Sequence, residues 1–430
     1  MRSGPRRNAQ IEEKSPGLLA SEIVSDELPN GIKVLVKQVY PARVANLGVW
    51  VKVGSVNESD RVAGISHFIE HMLFKGTEKR AVGQIAKEIH GCGGYMNAFT
   101  DFECTCYWIV LPSKYLDVAL DVQADAFLNS TFDEVELHKE CQVIIEELKM
   151  YEDRPEAFAF EKLMPMAYKK HPYGRPIIGF EPTLRSTTRQ DLFDYFHDHY
   201  QAGNMFITLV GDVEPTRSIR KIKNAFKSMP KGSPKMTLPA EPPQTEFRKS
   251  QIDGDIARTH IQMAFHVPEA THEDLHALRV LATLLGEGRS SRLSQSLREK
   301  NQWVDSAQAG IFAQRDPGLF YTSFVLEDRH VENVEKGAWH EIERLKKELI
   351  SPEELLKAQN MTESEYVFAQ ETVEGQGRNL GYYEMLGDYT LGEKFLKKLF
   401  QVKPEDVRNA AQKYFKRENC SEIVYHARKS

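Results

Sequence analysis

Ala45-Asn46-Leu47-Gly48-Val49-Trp50-Val51-Lys52-Val53, followed by Ile65-Ser66-His67-Phe68-Ile69-Glu70-His71-Met72-Leu73-Phe74, is the stretch on which the fold turns. The first run is dominated by apolar and β-branched residues and reads as a strand. The second places Ile65, Phe68, Ile69, Met72 and Leu73 at helical spacing and reads as a helix. Upstream, Ile32-Lys33-Val34-Leu35-Val36 predicts a strand that forms a hairpin with the first run. The same order of signals recurs downstream, with a strand at Thr259–Val267 and a helix from Glu273 to Leu285. Each piece then returns to a strand, Met205–Val210 in the first and Leu319–Val325 in the second, and each is expected to end in helices. Between the pieces, Met229-Pro230-Lys231-Gly232-Ser233-Pro234 with Pro239, Pro242 and Pro243 reads as a linker. The expected fold class is α+β: two similar domains from an internal duplication, each a mostly antiparallel sheet with helices packed on one face. The expected boundaries are a flexible tail at 1–28, a first domain at 29–228, a linker at 229–248 and a second domain at 249–430.

Composition narrows the function classes. The chain has 430 residues, 41% of them hydrophobic, which is ample for a large core without disulfides. Its 56 basic and 62 acidic side chains are interspersed, for a net charge of -6, so no nucleic-acid footprint is present. The one local basic cluster, Arg2, Arg6 and Arg7, sits in a tail read as disordered. Five cysteines, an odd number, fit a reducing compartment. Cys104-Thr105-Cys106 is a C-x-C whose two side chains share a strand face, so a disulfide between them is expected to be strained or absent. No apolar run has the length of a secretory signal or of a membrane span. The expectation is a soluble, cytoplasmic protein with no membrane partner.

The chemistry concentrates in the predicted helix. His67 and His71 are four apart and share a helix face, so both imidazoles can bind one zinc ion. Glu70 lies on the same side and is free to act as a general base on a water. The inverted pattern H-x-x-E-H weighs against a bare surface cluster of the same residues. A catalytic zinc needs a third protein ligand. The acidic helix from Asp133 to Leu148 offers Glu140 and Glu147, seven apart on one face. That separation is about 10 Å along the axis, too far for both to bind one ion directly. One is then a ligand and the other holds an imidazole or a water, and spacing alone does not choose between them. Glu146 points about 100° away from Glu147.

His67-Phe68-Ile69-Glu70-His71-Met72-Leu73-Phe74-Lys75-Gly76-Thr77 resembles the metal helix of the pitrilysin-type, or M16, zinc metallopeptidases, and above all their short two-domain members. The resemblance runs from about Pro29 to Tyr425. It implies a zinc endopeptidase with one zinc per chain. Glu147, at the family's spacing after His71, is the implied third ligand, and Glu140 the implied supporting catalytic residue. Gly93-Gly94-Tyr95-Met96-Asn97-Ala98-Phe99-Thr100 resembles the family's edge strand, so Asn97, Ala98 and Phe99 are the implied substrate-binding residues, adding a peptide as an extra strand. His171-Pro172-Tyr173-Gly174-Arg175-Pro176 resembles a family segment and is read as scaffold. In the second domain, Arg298 matches an Arg that holds substrate and developing oxyanion in the family. The family's Tyr seven residues on is Asp305 here, which removes one donor from that clamp. The resemblance also implies a chamber closed by two chains, a homodimer or a heterodimer with a related chain, around a peptide or small unfolded protein. The competing expectations are a non-catalytic or partner-dependent subunit of a processing complex, a dedicated maturation protease for one precursor, and a zinc-dependent binding module.

Overall fold

The computed structural model describes residues 22–234 and 236–427. The expected tail lies outside the described residues up to position 21, with the Arg2, Arg6 and Arg7 cluster, but its last part is not a tail: Ile23–Glu27 is a strand paired antiparallel with residues 33–37. Six strands form the first sheet: β1 (Ile23–Glu27), β2 (Lys33–Gln38), β3 (Val44–Val51), β4 (Tyr95–Thr100), β5 (Thr105–Pro112) and β6 (Met205–Gly211). Their order is β1-β2-β6-β3-β5-β4. Five more form the second sheet: β7 (Arg248–Gly254), β8 (Thr259–Val267), β9 (Ser306–Phe312), β10 (Gly318–Leu326) and β11 (Cys420–Ala427), in the order β7-β11-β8-β10-β9. Numbered within each unit, β2 to β6 and β7 to β11 follow one identical order. In both runs the first and last strands pair parallel, β2 with β6 and β7 with β11, and the other pairs are antiparallel. The duplication is thus carried by topology.

Two expectations are corrected. Strands β2 and β3 are consecutive in sequence but do not form a hairpin, because β6 inserts between them, parallel to β2 and antiparallel to β3. All seven residues of β6 are buried, which a central strand satisfies and an edge strand would not. The counterpart of β6 is also β11 rather than Leu319–Val325, which belongs to β10. The second unit therefore ends on a strand.

Helices α1 (Ile65–Leu73) and α2 (Gln84–Gly91) join β3 to β4, and α3 (Leu116–Asn129), α4 (Glu134–Glu152), α5 (Pro155–Ala167), α6 (Glu181–Ser186) and α7 (Arg189–His199) join β5 to β6. Helix α8 (Pro215–Phe226) precedes the linker. In the second unit α9 (Leu275–Gly286) follows β8. Helices α10 (Val331–Lys347), α11 (Pro352–Phe368), α12 (Val373–Met385), α13 (Leu391–Leu399) and α14 (Pro404–Tyr414) join β10 to β11.

Strand alternation divides the burial. On β3, Ala45, Leu47, Val49 and Val51 pack with α1 and the other helices of the first unit. Trp50 points the other way, into a cluster with Trp108, Phe206 and three residues of α12, namely Val373, Leu380 and Met385. On β8, Ile261, Met263, Phe265 and Val267 pack with α9, whereas Ala264 faces Ala159, Leu163 and Met164 of α5. Each unit therefore covers one face of its sheet with its own helices, and the other unit lends a helix to the opposite face. The exchange is close: a Cβ on Gly381 of α12 would lie 2.1 Å from the Trp50 ring. The linker is also tied down. Glu241 accepts the backbone N–H groups of Lys169, Lys170 and His171 at 2.9, 2.8 and 2.9 Å.

Candidate metal centre

Helix α1 starts at Gly64, which holds φ +96° while the carbonyl of Ile178 approaches so closely that a Cβ would lie 2.5 Å from it. Glu58 accepts the N–H of Gly64 (2.7 Å) and of Ser66 (2.9 Å), supplying the acceptor that a helix N-terminus needs. Burial pushes the Glu58 carboxyl up to about 7 against those bonds. Ile65, Phe68, Ile69, Met72 and Leu73 are buried and lock the helix rotation. The opposite stripe must then present His67, Glu70 and His71 outward from the core.

The two imidazole rings stand 4.7 Å apart between centroids. Helix α4 brings its carboxylates over them. The Nε2 atoms of His67 and His71 lie 3.8 and 3.5 Å from the same oxygen, Oε2 of Glu147. One ligand atom from each of these three residues lies within 4.8 Å of the others. Two imidazole nitrogens and one carboxylate oxygen are a donor set that zinc accepts, with coordination positions left over. Among the described residues this is the one such group of three. Glu140, one stretch back on α4, is buried and accepts from His71 Nδ1 at 3.2 Å and from Lys75 Nζ at 2.5 Å. His71 thereby has an outer partner that sets its ring orientation. The Nδ1 of His67 is buried and has none among the described residues.

Electrostatics follow from this packing. Burial, reinforced by His71, pulls the His67 pKa down to about 4, so the ring is neutral at neutral pH and its nitrogen lone pair is free. For His71 burial acts downward, but the bonds with Glu147 and Glu140 outweigh it and raise the pKa. The His71 bond holds Glu147 below the usual carboxylate range. Glu70 is pushed above that range, chiefly by burial, although Thr100 Oγ1 donates to its Oε2 at 2.7 Å. Glu146 is exposed and pairs with Lys149 at 2.8 Å, away from the histidines.

Thr100 ends β4, which has a neighbour on one side only and so leaves the backbone of its other edge unpaired within the sheet. A cleft of about 470 Å³ runs beside it, lined by His67, Glu70, Glu147 and Ala98 and walled by Tyr151, Phe160 and Met164. Phe99 also borders this cleft, while Asn97 is exposed. Arg298 lies in the short helix Ser294–Lys300 of the second unit and does not line the cleft of its own chain. Asp305 is exposed and pairs with Arg258 at 2.8 Å. The scaffold segment places Arg175 at the cleft wall, where it donates to the carbonyls of Ser55 and Glu58 and so ties down the loop that precedes α1. Sequence reasoning assigned no role to Thr100 or Lys75. Thr100 sits in the edge-strand segment and Lys75 in the metal helix segment, and their partners Glu70 and Glu140 are distant in sequence. All five cysteines are free thiols, with Cys104 and Cys106 buried beside Trp50.

Residues 33–181 match the family described as Insulinase (Peptidase family M16), and residues 186–362 match the Peptidase M16 inactive domain. An uncharacterized zinc protease of Rickettsia felis is 32% identical over 93% of this chain and 96% of its own length. The chain belongs to the M16 peptidase family. A zinc protease of Bacillus subtilis is 31% identical over 90% of this chain and 94% of its own. A probable mitochondrial-processing peptidase subunit beta of Arabidopsis thaliana is also 31% identical, over 81% of this chain and 67% of its own. Among solved structures, a protease from Helicobacter pylori superposes with a TM-score of 0.90 at 26% identity, covering 94% of this chain and 99% of that one. The two-sheet architecture is thus the M16 fold, and the metal-donor cluster falls within the first matched segment.

Proposed function

We propose that this chain is a zinc-dependent endopeptidase that hydrolyses peptides held extended along β4. His67, His71 and Glu147 are the ligands of one zinc per chain, and Glu70 is the general base. The observation that carries the reading is the convergence of two imidazole Nε2 atoms on one Glu147 oxygen, beside Glu70 and an unpaired strand edge. When bound, zinc supplies Lewis acidity to a carbonyl and to a water. Glu70 takes a proton from the attacking water and returns it to the leaving amine. Thr100 fixes one Glu70 oxygen by its hydrogen bond and leaves the other for that transfer. Glu140 orients His71 through Nδ1. Backbone groups at the open edge of β4 pair with the peptide backbone, the Ala98 N–H giving up its bond to Asn97 Oδ1 (2.9 Å) to do so, which selects extended, unfolded segments.

Partner dependence is a second reading favoured by one observation. Arg298 does not line the metal cleft of its own chain, and Asp305 is engaged by Arg258. A second chain, identical or related, would then supply the cation that steadies the oxyanion. Light scattering with and without added zinc measures that assembly.

The test of the main reading is zinc content and cleavage of a quenched fluorescent peptide, comparing wild type with Glu70→Gln. The expected result is about one zinc in both, with turnover lost by roughly 10²-fold or more in the variant. Absence of zinc in the wild type sinks the reading.

A further inference from the structure

Strand β4 has two faces, and each borders its own cleft. Met96 and Ala98 pack towards the core of the first unit and Thr100 reaches Glu70, so the even-numbered side chains face the metal donors. Tyr95 and Phe99 point to the opposite face, where α12 lies. The Tyr95 hydroxyl donates to Glu374 of α12 at 2.7 Å. The Phe99 ring meets Trp50 edge-on at 5.6 Å, and the Arg378 guanidinium lies 5.5 Å from its centroid and 5.8 Å from that of Trp108. This outer cleft has a volume of about 660 Å³ and shares Phe99 and Thr100 with the inner one. Its far wall belongs to the second unit, through Gln314, Arg378, Asn379 and Tyr382.

A peptide that adds to the free edge of β4 must alternate its side chains between the two clefts, because successive residues of any strand point to opposite faces. Those on the outer face come alongside Tyr95, Asn97 and Phe99 at about 4.5–5.5 Å between Cβ atoms. Arg378 is exposed there, and among the described residues no carboxylate pairs with its guanidinium. The two acids at the same cleft are otherwise engaged: Glu103 bonds the Tyr173 hydroxyl and the Arg315 N–H, and Asp101 accepts from Gln314 at 3.3 Å.

We infer that this outer cleft is a second specificity subsite, in which Arg378 of the second unit selects a glutamate-like carboxylate side chain at alternate positions of the bound peptide. The subsite deepens the peptidase reading and rests on it for the placement of the peptide along β4. It gives the second unit a direct contact with substrate in the same chain, through a helix that it lends to the first sheet. The aromatic floor of Trp50 and Phe99 suits the methylenes of glutamate, and the unused guanidinium donors suit its carboxylate.

The experiment uses one quenched peptide in which a single residue, Glu or Gln, is walked along the sequence. Wild type, Arg378→Ala, Arg378→Lys and Arg417→Ala are compared. Arg417 makes a similar cation–π contact with Phe247 and Trp339 in the second unit and controls for generic loss of stability. The expected result is a Glu-over-Gln preference of roughly tenfold in kcat/KM, what one partly desolvated charge pair supplies. It should occur at positions of one parity only, vanish in Arg378→Ala, and persist in part in Arg378→Lys and fully in Arg417→Ala. A preference that is absent in the wild type, survives in Arg378→Ala, or is replaced by an equal loss for every peptide overturns the inference. The same series is read in parallel as binding to Glu70→Gln by fluorescence anisotropy. If the wild type cleaves nothing, the single-chain peptidase reading fails, and the presence or absence of the Glu preference in binding still decides the subsite.

Discussion

Helices α1 and α9 occupy the same step of the duplicated unit, each between its second and third strand, yet they treat the neighbouring edge strand differently. Helix α9 is apolar almost throughout, with Leu278, Val280, Leu281 and Leu285 fully buried. Its last residue, Gly286, lets the backbone approach β9 until a Cβ would lie 1.8 Å from the Ala309 nitrogen. Helix α1 keeps His67 and Glu70 towards the cleft and His71 in the metal-donor cluster, and meets β4 through the hydrogen bond from Thr100 to Glu70. One unit closes the space between helix and edge strand, and the other leaves it open and lines it with donors. The same architecture therefore serves as a packed support in one copy and as a site in the other.

That contrast can be broken at several points. The largest effect is expected from His71→Ala on α1, which should weaken zinc binding beyond the roughly 10–100-fold typical of outer partners and abolish turnover. Leu281→Ala on α9 should do the reverse, costing about 2–5 kcal/mol of stability with zinc affinity intact. Chelator competition and thermal melts on both proteins distinguish the two outcomes. If Leu281→Ala also released zinc, the division of labour would be wrong.

Asp125 comes next. Its carboxylate is buried and accepts from Thr77 (2.6 Å), Arg80 (2.7 Å) and Asn129 (2.7 Å). Burial alone would raise its pKa, but these donors outweigh burial and hold it below the usual range. A depressed carboxyl stabilises the fold above its unfolded-state pKa and loses that contribution as pH falls through the folded-state value. Asp125→Asn should thus cost about 3 kcal/mol near neutrality, where it breaks a buried pair. The gap from wild type should narrow on acidification, as melting temperatures across a pH series would register.

Smaller effects should come from crowding the close approaches. Gly286→Ala pushes α9 off β9, and Gly381→Ala pushes α12 off Trp50, each at about 1–3 kcal/mol. Only Gly381→Ala should alter peptide affinity, since α12 borders β4, and equal KM values for the two variants would contradict this. The smallest effect is expected on α4 at Glu146, beside the proposed ligand Glu147. Glu146→Ala should stay within about 0.5 kcal/mol and keep its zinc, whereas Glu147→Ala should lose it, as metal analysis after dialysis would reveal.

The helix Ile65–Leu73 and the strand Thr259–Val267 were legible in the sequence because their periods are written in adjacent residues. The same locality made the pair His67 and His71 readable. Glu147 was harder. Periodicity placed Glu140 and Glu147 on one face of a helix without saying which approached the histidines, and only family resemblance chose between them. Strand pairing was misread at β2 and β3, because nothing in either run announces that Met205–Gly211 will come between them. Burial of β6 on both faces is a property of the assembled sheet.

By itself, then, the sequence determined the local elements, the mixed α+β class and the residue types able to bind a metal, all of which depend on spacing over a few turns. The tertiary structure alone decided the insertion of β6, the exchange of α5 and α12 between the two sheets, and the meeting of Arg378 with Phe99 across 279 positions of chain. Those contacts are selected by which apolar faces remain uncovered once each unit has formed. That choice is made by collective packing and not by any one segment.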